Sequence, residues 1–409
     1  MASVESFSFR ARNQIERTLL RRNGDVSTTV IRTASDSAAS SADAAFDLAW
    51  LKSASRPEVA NPRSVVRIVD LFAGCGGLSV GIAEAARGLG MRMDAVLAND
   101  IDEDILGIYS RNFPEADIVC APVETLLDGA CGDPPTLKER EFADRLGVID
   151  MVIGGPPCQG HSDFNNHTRN NDPKNELYLT MARFCEVVRP THVIIENVPG
   201  VERDRRRVAQ RTWGMLEDLG YSVDSGIVDA SRLGVAQRRK RSITIASLDI
   251  VPSVEDAVLS LEAKERSLAW AITDLLDVPR TRLVDQPPQP NDLTRSRIDY
   301  LFDNDLFDLP DSERPDCHRL KPHSYVSVYG RMHWDRPAQT LTTGFGVMGR
   351  GRFVHPSQRR TITPHEAARV QFFPDFFDFG DGPRTLIHKV IGNAVPPKLG
   401  YALGVHLLR

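Results

Sequence analysis

Three short stretches carry residues able to do chemistry. The first, GGPPCQGHS (154–162), sets Cys158 behind two prolines and directly after the apolar run VIDMVI. Proline fixes its own backbone angle and restricts the residue before it, so the thiol is stiffly mounted. A lone cysteine is most often a small buried apolar residue. Cys158 instead sits in a polar loop after a strand, where open α/β sheets place ligands. The second stretch, ENVPG (196–200), ends another strand with a carboxylate, Glu196. A thiol beside a carboxyl group that can hold a proton is a nucleophile–acid pair. A helix-terminal acid interacting with the dipole is the plainer account of Glu196 taken by itself. The third, QRRKR (237–241), packs four cations into five residues. On a strand, Gln237, Arg239 and Arg241 share one face, and arginines on a cleft wall suit a phosphate or a carbonyl oxygen. A solvated, charged sheet edge is the alternative.

A fourth stretch, DLFAGCGGLS (70–79), lies between an apolar strand and a helix. Its glycines let the backbone turn tightly and approach a ligand beside exposed helix N–H groups. Asp100, closing the next strand, can hold ribose hydroxyls. The spacing is Gly-x-Gly-Gly, not that of dinucleotide binders, so S-adenosylmethionine fits better than NAD.

The elements needed to position these groups are legible as alternation. Strands are expected at 65–72, 93–100, 148–155, 192–198 and 241–247, and helices at 78–89, 101–113, 174–188 and 206–220. That order predicts an α/β fold with a mostly parallel sheet covered on both faces. After residue 250 the rhythm gives way to segments rich in Pro, Arg and Asp, which places a second, irregular lobe there. The last part returns to helical patterning and rejoins the first lobe. Ahead of residue 65, SFRARNQIERTLLRRN (8–23) reads as an amphipathic helix and TASDSAASSADAA (33–45) as a linker.

Composition bounds the rest. The chain has 409 residues, 41% hydrophobic and 26% charged, and a net charge of −5, an ordinary globular balance. No apolar run reaches the ~20 residues of a membrane helix, and the first residues lack the apolar core of a secretory signal. Six scattered cysteines without a CxxC pair argue against a disulfide framework or a zinc site, so no metal is expected. The acidic total does not exclude a basic groove for nucleic acid.

Together with RTITPHEAARVQFFP (360–374) and GNAVPP (392–397), these stretches stand in the order found in DNA (cytosine-5)-methyltransferases of the bacterial restriction–modification type. The resemblance covers residues 65–250 and 350–409. It implies an S-adenosylmethionine-dependent methyltransferase domain with a Rossmann-like sheet. It divides the chain into an extension (1–64), a catalytic domain (65–250), a target-recognition region (251–352) and a C-terminal return (353–409). The implied reaction is methyl transfer to carbon 5 of a flipped cytosine in duplex DNA. The thiolate of Cys158 adds to carbon 6, Glu196 holds or protonates ring nitrogen 3, and Arg239 contacts the base near its carbonyl oxygen. Ser162, Asn197, Gln237 and Arg241 take supporting, substrate-side positions. Phe72, Gly74, Gly76, Asp100, Pro157, Asn393 and Ala394 correspond to the cofactor pocket. A cytoplasmic, nucleoid-associated monomer is implied, with a cognate endonuclease acting separately. Two alternatives stay open: a transfer-RNA methyltransferase of the same fold, and a silent DNA-binding subunit.

The chain departs from the family pattern at three positions. Pro122 stands where a cofactor-contacting acid often follows the third strand. Ile101 replaces an aromatic residue that stacks on adenine, and His161 a phenylalanine after the cysteine.

Overall fold

A computed structural model describes residues 4–11, 13–33, 41–157, 173–319 and 328–409. Cys158, His161 and Ser162 lie outside the described residues.

The chain begins with an antiparallel sheet of β1 (Glu5–Arg10), β2 (Gln14–Leu20) and β3 (Val26–Arg32), followed by α1 (Ala42–Leu51). The helix expected over 8–23 is therefore a hairpin, and the end of the supposed linker is the first turn of α1. Burial in β2 has a period of two: Ile15, Arg17 and Leu19 point inward. Only a strand puts all three on one face. The helical reading fails because it leaves Arg17 in solvent, whereas the arginine is a buried anchor. Arg17 Nη1 lies 2.7 Å from Glu84 Oε1, and Arg17 Nε donates to Thr29 Oγ1 at 3.0 Å. Glu84 also accepts from Arg87 and, at 3.0 Å, from the Trp50 indole. Burial alone would raise Glu84, but Arg87 and Arg17 hold it below its ordinary range.

The catalytic half alternates as expected. In order come β4 (Val65–Leu71), α2 (Gly77–Gly88), β5 (Arg92–Asp100), α3 (Glu103–Asn112), β6 (Asp117–Cys120), α4 (Leu137–Leu146), β7 (Met151–Gly154), α5 (Leu179–Val188), β8 (His192–Asn197), α6 (Val208–Asp218), β9 (Ser222–Asp229), β10 (Gln237–Arg238) and β11 (Lys240–Ser247). Seven of these strands form one sheet in the order β6-β5-β4-β7-β8-β11-β9. Pairing is parallel from β6 to β8, and β11 runs antiparallel to both β8 and β9. Core residues such as Ile68 and Ile153 on one face, and Val69 and Val152 on the other, are fully buried, so the sheet is covered on both sides.

The rest is α7 (Val254–Leu259), α8 (Leu268–Ile272), α9 (Asp292–Asp303), α10 (Asp316–Arg319), β12 (Ala338–Gln339), α11 (Pro364–Val370), α12 (Arg384–Asn393) and α13 (Pro397–Leu408). The expected second lobe starts later than residue 251. Val254, Ala257, Val258, Leu268 and Ile272 belong to the main core. A separate small core gathers Ile298, Leu301, Leu309, Val328, Tyr329, Met348 and Val354. Helices α7 and α8, of six and five residues, lack room for two apolar repeats.

Helix α13 returns across the molecule onto α2 at backbone distance. A Cβ on Gly81 would stand 2.1 Å from Pro397 O, so no other residue fits there. The N-terminal sheet is then locked over this helix pair. Removing the buried charge with Arg17→Met should lower unfolding free energy by about 3 kcal/mol, since Glu84 loses a desolvated partner. Urea unfolding measures this, and a change within about 0.5 kcal/mol, as for an ordinary surface substitution, would mean that the extension is not held by this ion pair.

Candidate active site

Parallel strands bring their carboxyl ends to one edge, and the pairing register sets which residues meet there. Gly154 at the end of β7 pairs with Leu71 of β4 and Ile195 of β8. Position 154 must be glycine, because a Cβ would stand 2.8 Å from both Leu71 O and Met181 Sδ. Gly155 then faces Glu196: a Cβ there would lie 3.4 Å from Glu196 Oε2. Asn197 donates from Nδ2 to the carbonyl of Pro156 at 3.1 Å. The ENV strand end thus grips the strand that leads through Pro157 to Cys158.

β11 enters the same edge from the opposite direction, with Ile243 paired to Glu196. Two residues earlier, Arg241 places Nε 2.6 Å from Glu196 Oε1, with about a tenth of each side chain exposed. Charge-assisted contact at this length fixes the carboxylate's orientation.

The two arginines have different surroundings, and this revises the expectation for Arg239. Its guanidinium is 1% exposed. Nη1 donates to Leu341 O at 2.9 Å and Nη2 to Gly392 O at 3.0 Å. Burial, with Arg241 nearby and Glu196 opposing, pushes its pKa well below the usual arginine range. A group occupied this way ties backbone together, and the cation facing Glu196 is Arg241. Gln237 is likewise internal: it is fully buried, accepts from Leu341 N at 2.7 Å and donates to Gln371 Oε1.

The glycine loop lies along the same edge. Phe72, Gly74 and Gly76 all have positive φ, of 57°, 54° and 90°. Such a backbone is strained for Phe72 and relaxed for glycine. A Cβ on Gly74 would meet nothing within 4 Å, so this turn faces open space. Gly74 N donates to Asp100 Oδ2 at 3.0 Å, which clasps the loop to the end of β5. Ile101 beside it is 71% exposed, an apolar side chain on the rim. The far wall is 393–395. A Cβ on Gly77 would stand 2.4 Å from Val395 O, so this segment lies against the start of α2. Asn393 is exposed and Ala394 half-buried there, as is Pro157 at the end of its own strand. Lys389 on α12 reaches Asp102, the N-cap of α3, at 2.6 Å, spanning the two rims.

The residues present fit a nucleoside cofactor that carries no phosphate. The loop is open at Gly74, a carboxylate is fixed beside it, and an apolar side chain flanks both. Among the described residues there is no cluster of His, Cys, Asp and Glu that could hold a metal, and no helix is long and apolar enough to cross a membrane.

The family model for C-5 cytosine-specific DNA methylases matches residues 66–409. The chain belongs to this family. Its reaction is methyl transfer to carbon 5 of cytosine in DNA. The chain is 46% identical to the Type II methyltransferase M1.BsuMI of Bacillus subtilis over 364 residues, which cover 89% of this chain and 85% of that protein. It is 29% identical to the Type II methylase M.HgiDII of Herpetosiphon aurantiacus, covering 84% and 95% of the two chains. The fold is also that of the S. pombe Dnmt2 methyltransferase, with a TM-score of 0.58 at 18% identity over 84% of this chain and 98% of the other. The family match begins at residue 66, so it leaves the N-terminal sheet outside.

Several groups around the site escaped the sequence reading. Under the glycine loop, Ser79 Oγ donates to Asp70 Oδ2 at 2.6 Å and lies 2.9 Å from the Tyr109 hydroxyl. Asp70 was visible as the acid of DLF, but nothing in its type signals burial. Burial raises its pKa to about 7, against the Ser79 hydrogen bond and with a contribution from Asp100. The folded pKa lies above the unfolded value, so the folded state binds the extra proton. Stability contributed by the protonated form is present below about pH 4 and is lost as pH rises through about 7. Asp70→Asn should therefore flatten the decline of unfolding free energy between about pH 4 and 7. Parallel slopes for the two proteins in urea titrations would show Asp70 to be ionised throughout.

Proposed function

We propose that this protein methylates one cytosine within a specific duplex DNA sequence, through a covalent Cys158 adduct on a flipped base. The observation that carries the reading is the Glu196–Arg241 pair, held at the sheet edge where the Cys158 loop leaves β7.

Carbon 5 of cytosine is too weak a nucleophile to take a methyl group unaided. The Cys158 thiolate adds to carbon 6, and the electron pair moves toward ring nitrogen 3. Glu196 holds or protonates that nitrogen, so no full negative charge builds on the ring. Carbon 5, now enamine-like, forms the new bond to the methyl carbon. Gly74, Asp100, Ile101 and the 393–394 segment would hold S-adenosylmethionine, which would supply that methyl group, the sulfur–methyl bond breaking and its electron pair staying on sulfur as the neutral thioether. A base removes the proton from carbon 5, elimination of the thiolate from carbon 6 restores the double bond, and any proton given to nitrogen 3 returns to Glu196. Arg241 keeps the carboxyl oriented and, with its remaining N–H groups, suits the base's carbonyl oxygen. Asn197 orients the cysteine loop through Pro156. Extruding the base costs a few kcal/mol, which phosphate contacts must offset. Arg350 is an exposed cation in the lobe available for this, while Arg352 bonds internally to Phe307 O and Arg331 O.

The relatives named as Type II methyltransferases support a restriction–modification role; in this reading the chain acts as a monomer in the cytoplasm, beside a separate endonuclease.

Bisulfite sequencing of genomic DNA from cells expressing the protein should reveal one methylated context. Cys158→Ser should abolish it and prevent a denaturant-stable complex with duplexes containing 5-fluorocytosine. Methyl transfer to transfer RNA in place of DNA would redirect the substrate assignment. Glu196→Gln should slow turnover by ~10²-fold or more, in the range of general acid–base effects. The two arginines should separate. Arg241→Met should lower kcat with little change in Tm, whereas Arg239→Met should lower Tm, by roughly 2–4 °C per kcal/mol lost in a chain of this size or somewhat less. The reverse pattern would return the base-facing role to Arg239.

A further inference from the structure

A line of buried amides joins the two halves of the site. Leu341 N–H donates to Gln237 Oε1 at 2.7 Å, and Gln237 Nε2 donates to Gln371 Oε1. Gln371 Nε2 in turn donates to Ile391 O at 3.1 Å and Ala394 O at 2.6 Å. Both glutamines are completely buried. Neither amide can flip, because each oxygen faces a donor and each NH2 faces an acceptor. The line therefore has one direction, from the strand 338–341 to the carbonyls of 391–394.

Its ends are in tight register. Gln237 of β10 pairs with Ala338 of β12. A Cβ on Gly392 would stand 2.4 Å from Thr343 N and 2.7 Å from Thr342 O. Backbone thus touches backbone, and neither segment can shift without moving the other. One segment leads out of the small lobe, and the other forms the wall that faces the glycine loop.

We propose that Gln237 and Gln371 are positioning residues that couple cofactor occupancy to the DNA-facing lobe. The inference rests on the reading that Asn393 and Ala394 border the cofactor. Ordering of 393–394 by a bound nucleoside fixes the Ala394 carbonyl, and the amide line passes that constraint to Leu341 at the base of the lobe. Close packing makes the transfer all-or-none rather than gradual. By linkage, DNA then tightens the cofactor by the same factor.

The test uses the full-length protein, S-adenosylhomocysteine, and a duplex carrying the methylated sequence found by bisulfite mapping. In the wild-type protein the nucleoside should tighten DNA binding at least 5-fold, the lower end of ordinary coupling. Substituting both partners, Gln237→Met with Gln371→Met, leaves no side-chain amide stranded, although the Leu341 N–H and the Ile391 and Ala394 carbonyls lose their partners. Its coupling factor should fall below 2, while its Kd for S-adenosylhomocysteine without DNA stays within threefold. A double variant that keeps the wild-type factor overturns the proposal, and so does a wild-type protein with no coupling. A second readout needs no variant. S-adenosylhomocysteine alone should slow amide hydrogen exchange over 338–343, and unchanged exchange there sinks the inference. Failure of the wild-type protein to bind the nucleoside or DNA at all would instead overturn the proposed function itself.

Discussion

Parallel pairing of β7 between β4 and β8 is the constraint from which the site follows. Parallel strands end on the same side, so the glycine loop, the Gly155–Pro157 exit of β7 and the ENV end cannot avoid one another. The missing Cβ of Gly154 lets the central strand close against Leu71 O and Met181. The antiparallel strand β11 then supplies what a wholly parallel sheet cannot, a side chain entering that edge from its amino end. Arg241 occupies that position, and its contact with Glu196 is a consequence of strand direction as much as of charge.

Buried charge recurs through the molecule, and it specifies more than it stabilises. Desolvation offsets most of the Coulombic gain of an enclosed pair, whereas a wrong arrangement leaves a charge stranded. Asp47 of α1 faces Arg266 at 2.5 Å and Lys398 at 2.8 Å, so one carboxylate joins three distant parts of the chain. Arg17 does the same between the N-terminal sheet and α2. In α11, His365 lies between Asp285 at 2.7 Å and Asp375 at 2.8 Å. Burial would raise Asp375, but hydrogen bonds and charge from His365 and Arg369 hold it at about 2. Each contact admits one docking geometry and penalises the neighbouring ones.

Much of the frame was legible because both its periodicities are strong. The runs at β4, β5, β8 and β11 are apolar and β-branched, and the glycines and prolines that punctuate them carry the chemistry. Glu196 could be placed at a strand end from ENVPG alone. Legibility failed where one residue type serves two ends. Arg239 and Arg241 look equivalent in QRRKR, and only tertiary partners tell the one bonded to backbone carbonyls from the one paired with Glu196. Gln371 lies within a quoted motif, yet an amide does not announce an internal partner 134 residues away. β6 has only four residues, and the eight of β9 are broken up by Ser, Asp and Gly, so neither alternation stands out. The N-terminal hairpin was misread because burying an arginine contradicts composition-based expectation, and only Glu84, far along the chain, makes it tolerable.

The seat of α13 on α2 also bears on how the polypeptide is made. The pair meets through Gly81, Gly400 and Gly404, and the N-terminal sheet closes over it with Arg22 reaching the carbonyls of His406 and Leu407. Residues that leave the ribosome first must wait for those that leave last. At ~5–20 residues per second, the roughly 300 residues between α2 and α13 take on the order of 15–60 seconds to synthesise. Through that interval an apolar helix face and several unpaired charges stay uncovered on the nascent chain, a natural point of engagement for a chaperone. The face of α2 is covered only once α13 has been made.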